Sequence, residues 1–129
     1  MKPTCIILLA LLLAVPGLAG NDQQNIQLAA MQSPAVANCL VVIDPVHIGV
    51  TLKLNPTATG YTINQAMYNI LQVYADELSE HPDYNGYLRI GIVAAYSKQV
   101  SMLYEATASE TRSASNFYDL YSGMVDRGH

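Results

Sequence analysis

The stretch Thr62–Glu80 constrains the fold more than any other part of the sequence, because its apolar residues recur with the repeat of an α-helix. The residues that share this stripe are Ile63, Met67, Ile70, Leu71, Tyr74 and Leu78. Thr62 and Gln65 have the spacing of a capping box, and Pro82 after His81 predicts the helix end. A single amphipathic helix is marginally stable in water, so we expect its apolar face to cover a sheet.

Two regions of alternating apolar and polar residues predict the strands of that sheet. The first, Leu40–Leu54, is interrupted at Asp44–Pro45, because proline cannot donate an amide to a ladder. The second, Leu88–Thr107, turns at Ser97–Gln99 and predicts a hairpin. A helix is the alternative for residues 97–107, since their apolar residues also fit a helical stripe.

The end of the chain predicts one more helix. Thr107–Ser115 is small and polar and predicts a loop, with Ser113 or Ser115 as a helix cap. Helical spacing then relates Phe117, Leu120, Tyr121 and Met124. The predicted fold class is α+β, in the order ββαββα: a small antiparallel sheet with two helices packed on one face, since only one face of each strand is apolar.

Residues 1–19 have the organisation of a secretory signal peptide. Lys2 precedes the apolar run Cys5–Val15, and Gly17 and Ala19 supply the small residues of a cleavage site. The run is shorter than the roughly 20 residues of a membrane span, although an uncleaved anchor is the alternative. We therefore predict an exported protein, periplasmic if bacterial and otherwise secreted, with no transmembrane segment in the mature chain.

Residues 20–38 are predicted to be a flexible leader before a single α+β domain, residues 39–129. The segment is rich in Gln, Asn and Ala, contains Pro34 and has no sustained period. Transient helix between Ile26 and Met31 is the alternative.

Charge and motifs exclude several functions. Loss of Lys2 leaves five basic against ten acidic side chains, a net charge of −5. Nucleic acids and anionic lipids bind clustered Lys and Arg, so neither is a predicted partner. The three histidines are scattered, and the sequence has no Cys-x-x-Cys pair, nucleophile elbow or phosphate-binding glycine loop. We predict no enzyme activity, no metal and no cofactor.

Three groups of residues are the candidates for an interaction site. Four acidic residues lie at the C-terminal end of the predicted helix, where the helix dipole is already negative: Asp76, Glu77, Glu80 and Asp83. They form either a solvated face or a patch that binds a cation or a basic partner. Nine tyrosines accompany one Phe and no Trp, and the predicted partner-binding residues among them are Tyr61, Tyr87, Tyr96, Tyr104 and Tyr121. Cys39 is the only cysteine after the signal, and is either buried or the handle for an intermolecular disulfide.

The predicted helix is followed by the run His81–Ile90 and by a strand pair in which Lys98–Ser101 forms the turn and the start of the second strand. This order resembles the C-terminal periplasmic domain of the TonB and TolA energy-transducing proteins. Those domains pair a helix, a Pro-x-x-x-Gly lead-in, here Pro82 to Gly86, and a hairpin. The resemblance implies a protein-binding domain that offers a strand edge.

We therefore predict an exported, non-enzymatic protein-binding module: an adaptor, an immunity- or inhibitor-like protein, or an assembly subunit. Its partner, another protein or a second copy, would use a sheet edge and the Tyr-rich surface. The alternative is a small ligand-binding domain or hydrolase with a pocket between helix and sheet. That function would need a buried, hydrogen-bonded polar group such as Asp44, His47 or Glu105.

Overall fold

The computed structural model describes residues 20–114, 116 and 119. The elements of this part are α1 (Gly20–Met31), β1 (Val36–Ile43), β2 (His47–Leu54), α2 (Gly60–Glu80), β3 (Tyr87–Val93), β4 (Val100–Thr107) and α3 (Ala108–Ser113). The α+β class and the ββαββα order from β1 onwards are confirmed, and residues 100–107 form a strand, not a helix. The predicted signal peptide lies outside the described residues. So does the predicted helix from Phe117 to Met124, apart from Asp119.

The four strands form one mixed sheet in the order β1-β2-β3-β4. The hairpins β1–β2 and β3–β4 are antiparallel as predicted, but β2 and β3 are parallel neighbours, with His47 beside Tyr87 and Lys53 beside Val93. The prediction of a wholly antiparallel sheet is therefore wrong for the central pair, β2 and β3. The physical reason is α2, which carries the chain back along the sheet so that β3 starts at the same end as β2.

The core lies between this sheet and the helices α1 and α2. The stripe of α2 is buried as predicted from Met67 to Leu78, and Tyr74 is fully buried. The sheet contributes alternate residues of its central strands: Ile48, Val50, Leu52, Leu88, Ile90 and Ile92. Each fully buried aliphatic side chain of this kind contributes about 1.5–3 kcal/mol.

The caps of α2 and α3 differ from the predicted ones. Thr59 is the N-cap of α2, and its hydroxyl accepts from the Thr62 amide while Thr62 Oγ1 accepts from the Thr59 amide. The helix thus begins earlier than a cap at Thr62 would place it, and it ends at His81, as Pro82 predicts. Thr107 and Glu110 form a second reciprocal cap, so a short helix replaces the predicted loop after β4.

The segment predicted as a flexible leader forms α1 and the start of β1, which corrects the assignment of residues 20–38. Ile26 and Ala30 are fully buried in the core. Ser33 Oγ donates to the Thr62 carbonyl, and Asn69 of α2 donates to the Ala29 carbonyl. The small alanines bury well against α2 but give the helix a weak hydrophobic period, which is why the sequence pattern does not reveal it.

Candidate functional site

The face of the sheet opposite α1 and α2 is covered by no described helix, and we call it the open face. Its residues in β1 and β2 are Leu40, Val42, His47, Gly49 and Thr51. In β3 and β4 they are Tyr87, Arg89, Gly91, Val100, Leu103 and Glu105. The period of a strand places these residues together, since successive side chains point to opposite faces.

A carboxylate orients an imidazole at one end of the open face. Asp44 Oδ1 accepts from the amides of Val46 and His47 at 2.8 Å, and Asp44 Oδ2 lies 2.9 Å from His47 Nδ1. The backbone hydrogen bonds from His47 and Val46 lower the pKa of Asp44. The ring of His47 stacks on Tyr87, with 5.3 Å between ring centroids. Because the short β1–β2 turn fixes Asp44, the orientation of His47 is set locally.

An ion pair continues this cluster across the open face. Arg89 Nη2 and Nε lie 2.7 and 2.8 Å from Glu105 Oε2, and the guanidinium lies 5.5 Å from the centroid of the Tyr87 ring. The polar groups expected for a pocket between helix and sheet therefore lie on the opposite side of the sheet. Asp44 contacts His47, and Glu105 contacts Arg89, while Tyr87 lies between the two pairs. Asp44, His47 and Glu105 are all partly exposed there.

A shallow depression of about 480 Å³ crosses the open face beside these groups. Gly49 and Gly91 lie at its floor, and Val42, Val100 and Leu103 are among the residues that line it. A Cβ atom at Gly91 would approach the Val100 methyl groups to 3.3 Å. Gly91 therefore makes room for Val100, and Gly49 makes room for the His47 ring, whose Nε2 a Cβ atom would approach to 3.2 Å. Val42 and Val100 are each 52% exposed.

The two edge strands of the sheet, β1 and β4, differ in their side-chain hydrogen bonds. Gln23 Nε2 donates to the Val41 carbonyl at 2.7 Å, and Gln27 Nε2 donates to the Cys39 carbonyl at 3.1 Å. Both donors belong to α1, so the helix covers main-chain acceptors of β1. Sequence reasoning missed these residues because it assigned them to a leader, although their i, i+4 spacing places both on one helix face.

The other edge is β4. No side chain of the described residues bonds the backbone of β4 between Val100 and Ala106, and bonds of this kind begin only at Thr107, the cap of α3. A register shift separates Val100 from Met102, and the pairing with β3 is regular from Met102 to Thr107. Such an edge presents unpaired peptide groups.

The structure does not bring the predicted tyrosines together. Tyr61 and Tyr96 are exposed, at the start of α2 and in the β3–β4 loop. Tyr87 is half-buried at the start of β3, at the other end of this strand from Tyr96. Tyr104 is buried on the helix-covered face, where its hydroxyl donates to Met102 Sδ. Tyr121 lies outside the described residues.

A larger cleft, of about 800 Å³, lies between the β1–β2 turn and the α2–β3 loop. Pro45 and Val46 line one side, and residues 80–85 and Tyr87 line the rest. Tyr84 is buried here, and its hydroxyl has no hydrogen-bond partner among the described residues. Burial raises the pKa of this phenol to about 12, so it stays a protonated donor at neutral pH.

The predicted acidic patch is not one surface. Asp76, Glu80 and Asp83 are exposed, but Glu77 is buried beside α1, which corrects its assignment. At the same helix end, Arg112 Nη2 donates to the His81 carbonyl at 3.0 Å. This contact places a cation where the helix dipole is negative.

Cys39 is buried on the helix-covered side of β1, opposite Leu52. Burial raises the pKa of its thiol to about 11. In the folded chain, this position favours the buried alternative over the intermolecular disulfide.

Comparisons with protein-family models, with curated proteins and with solved structures find no match. The resemblance to the TonB and TolA domains therefore stays a prediction. Among the described residues, no helix is long and apolar enough to cross a membrane.

Proposed function

We propose that this chain is an exported, non-enzymatic protein-binding module that takes up an extended segment of another protein along β4. The observation that carries the proposal is the difference between the two sheet edges. Gln23 and Gln27 bond carbonyls of β1, whereas no described side chain bonds the β4 backbone between Val100 and Ala106. A strand added at β4 would gain main-chain hydrogen bonds, and flanking side chains would give specificity.

The side chains along β4 favour an apolar segment. Val100 on the open face is 52% exposed, and Met102 on the helix-covered face is 45% exposed. A partner strand with apolar residues at the matching positions would cover both. The negative net charge, −4 for the full chain and −5 without Lys2, favours a partner that is neutral or basic.

Two valines with equal exposure provide a matched test. Val100→Lys places a charge at the β4 edge, and Val42→Lys places one on the same face of β1. The wild-type protein, immobilised, is used to capture partners from the exported fraction, with both variants in parallel. We expect the partner to be lost with Val100→Lys and retained with Val42→Lys, and equal loss or equal retention contradicts the proposal.

Amide hydrogen exchange locates the contact. Amides of an edge strand that point away from the sheet exchange rapidly, and pairing with a partner strand protects them. We expect alternate amides between Met102 and Ala106 to become protected in the complex, while those of β1 do not change. Protection of the same amides in the isolated protein would mean that its own chain or a second copy covers β4.

A second function, binding or hydrolysis of a small molecule, is favoured by the contact between Asp44 and His47. A carboxylate on Nδ1 fixes the tautomer of an imidazole that acts as a base. Single alanine variants of Asp44, His47 and Glu105 are assayed against p-nitrophenyl ester and phosphate substrates. Turnover that is lost in one of them while the fold is retained would favour this second function.

A further inference from the structure

We infer that Asp22, Glu77 and His81 form a binding site for a divalent transition-metal ion of the Zn²⁺ class. One ligand atom from each residue lies within 4.8 Å of the other two. Asp22 comes from the first turn of α1, Glu77 from the last turns of α2, and His81 is the C-cap of α2. The site would therefore tie the N-terminal helix to the end of the long helix.

Glu77 distinguishes this cluster from an ordinary acidic surface. The residue is 6% exposed, and its Oε1 has no hydrogen-bond partner among the described residues. His81 Nε2 lies 3.6 Å from this oxygen, beyond hydrogen-bond distance. Since a buried, unbonded carboxylate oxygen is costly, a cation placed between these atoms would offset that cost.

The acidic groups around Glu77 also favour a positive charge at this position. Burial, and then hydrogen bonding with and repulsion from Asp22, raise the pKa of Glu77 to about 8. Glu80 and Asp76 add to the repulsion. The cluster also lies at the negative end of the α2 dipole.

The donor set selects the class of ion. One imidazole nitrogen and two carboxylate oxygens suit Zn²⁺, and neighbouring ligands of a tetrahedral zinc lie about 3.4 Å apart. The 3.6 Å between His81 and Glu77 is close to this value. Ca²⁺ and Mg²⁺ prefer more oxygen ligands and should bind more weakly. The side chain of His81 is 35% exposed, which leaves a route for the ion and a fourth ligand position for water.

The test follows thermal unfolding of chelator-treated protein with Zn²⁺, Co²⁺, Ca²⁺ or Mg²⁺. At a Zn²⁺ concentration 100 times its Kd, the ratio of folded to unfolded protein should rise about 100-fold. We expect Glu77→Gln and His81→Ala to abolish this rise. Glu80→Gln, an exposed carboxylate on the same helix end, and His47→Ala, a histidine outside the cluster, should retain it. Bound Co²⁺ should show the visible absorption of a tetrahedral site.

An unchanged unfolding midpoint of the wild-type protein with Zn²⁺ would overturn the inference. So would a Zn²⁺ effect that survives in both Glu77→Gln and His81→Ala. If Glu77→Gln fails to fold, the partly exposed His81→Ala decides the question. If Zn²⁺ has no effect on the wild type and Glu77→Gln is more stable than the wild type, the cluster is a hydrogen-bonded contact between Glu77 and Asp22 that holds no metal ion.

Discussion

Gln23 Nε2 donates a hydrogen bond of 2.7 Å to the main-chain carbonyl of Val41. Gln27, one turn further along α1, makes the same kind of bond to Cys39. Since residues 39 and 41 are two apart in a strand, their carbonyl groups point to the same side of β1. Helix α1 therefore protects one sheet edge with side-chain amides, and this difference between the edges supports the proposed use of β4 by a partner strand.

Removal of the side-chain amides of Gln23 and Gln27 should destabilise the fold and leave the main-chain carbonyls at the β1 edge without these partners. We expect the double variant Gln23→Ala, Gln27→Ala to lose about 1–3 kcal/mol of unfolding free energy, for two net hydrogen bonds. It should also self-associate more readily. Urea denaturation and sedimentation velocity measure the two effects. The control is Gln24→Ala, because Gln24 is exposed on the same helix. If the double variant and this control have the same stability and the same tendency to self-associate, α1 does not protect the edge.

Gly86 should not tolerate a methyl group. A Cβ atom there would lie 2.3 Å from Tyr84 Oη and 2.5 Å from the Val46 carbonyl oxygen. Gly86→Ala should therefore cost about 1–3 kcal/mol of stability, as overpacking does. Gly60→Ala is the control, since nothing lies within 4 Å of its Cβ position. Urea denaturation should show that variant as stable as the wild type or up to about 1 kcal/mol more stable.

Asp44 should make stability depend on pH in the acid range. The backbone amides of His47 and Val46 lower its pKa in the folded state below the ordinary 3.8. The unfolded chain therefore binds the proton more tightly, and the stabilisation present above that value is lost as the pH falls through the lowered pKa. Urea denaturation between about pH 2 and pH 6 should show the advantage of wild type over Asp44→Asn shrinking at low pH. Asp83→Asn, at an exposed carboxylate in the α2–β3 loop, is the control variant.

Cys39 should be unreactive in the folded protein. A thiol pKa of about 11 instead of 9.0 lowers the thiolate fraction about 100-fold, and burial restricts access further. Reaction with Ellman's reagent, measured on a Cys5→Ser variant so that only Cys39 reports, should be slow in buffer and fast in urea. Non-reducing electrophoresis should show a monomer. A disulfide-linked dimer would instead support the cross-linking alternative.

The local sequence pattern predicts an element correctly where burial of one apolar face dominates its stability. The stripe of α2, the stop at Pro82 and the alternation of β2 each predict one buried face, and the structure confirms them. In β3 the predicted residues Leu88, Ile90 and Ile92 are buried, but Gly91 and Val93 on the other face are buried too. The same rule fails for residues 20–31. Their buried residues are mostly small, and glutamines bond the neighbouring strand, so neither feature leaves a strong period.

The two candidate clusters differ in how far apart their members lie in the sequence. His47 and Asp44 are three apart, and their contact could have been proposed from the turn between them. Glu77 and His81 have the i, i+4 spacing of neighbours on a helix, but the third member of the cluster, Asp22, is far away in sequence. No local rule predicts that α1 folds back onto the end of α2.

The amino-acid sequence by itself determined the α+β class, the order hairpin, helix, hairpin from β1 to β4 and the buried faces of α2 and β2, because hydrophobic burial follows the short-range periods of strand and helix. Tertiary structure decided the parallel pairing of β2 with β3, the covering of the β1 edge and the burial of Glu77 beside Asp22. Those features depend on which distant surfaces meet. That choice is made by packing of the whole domain and leaves no periodic trace along the chain.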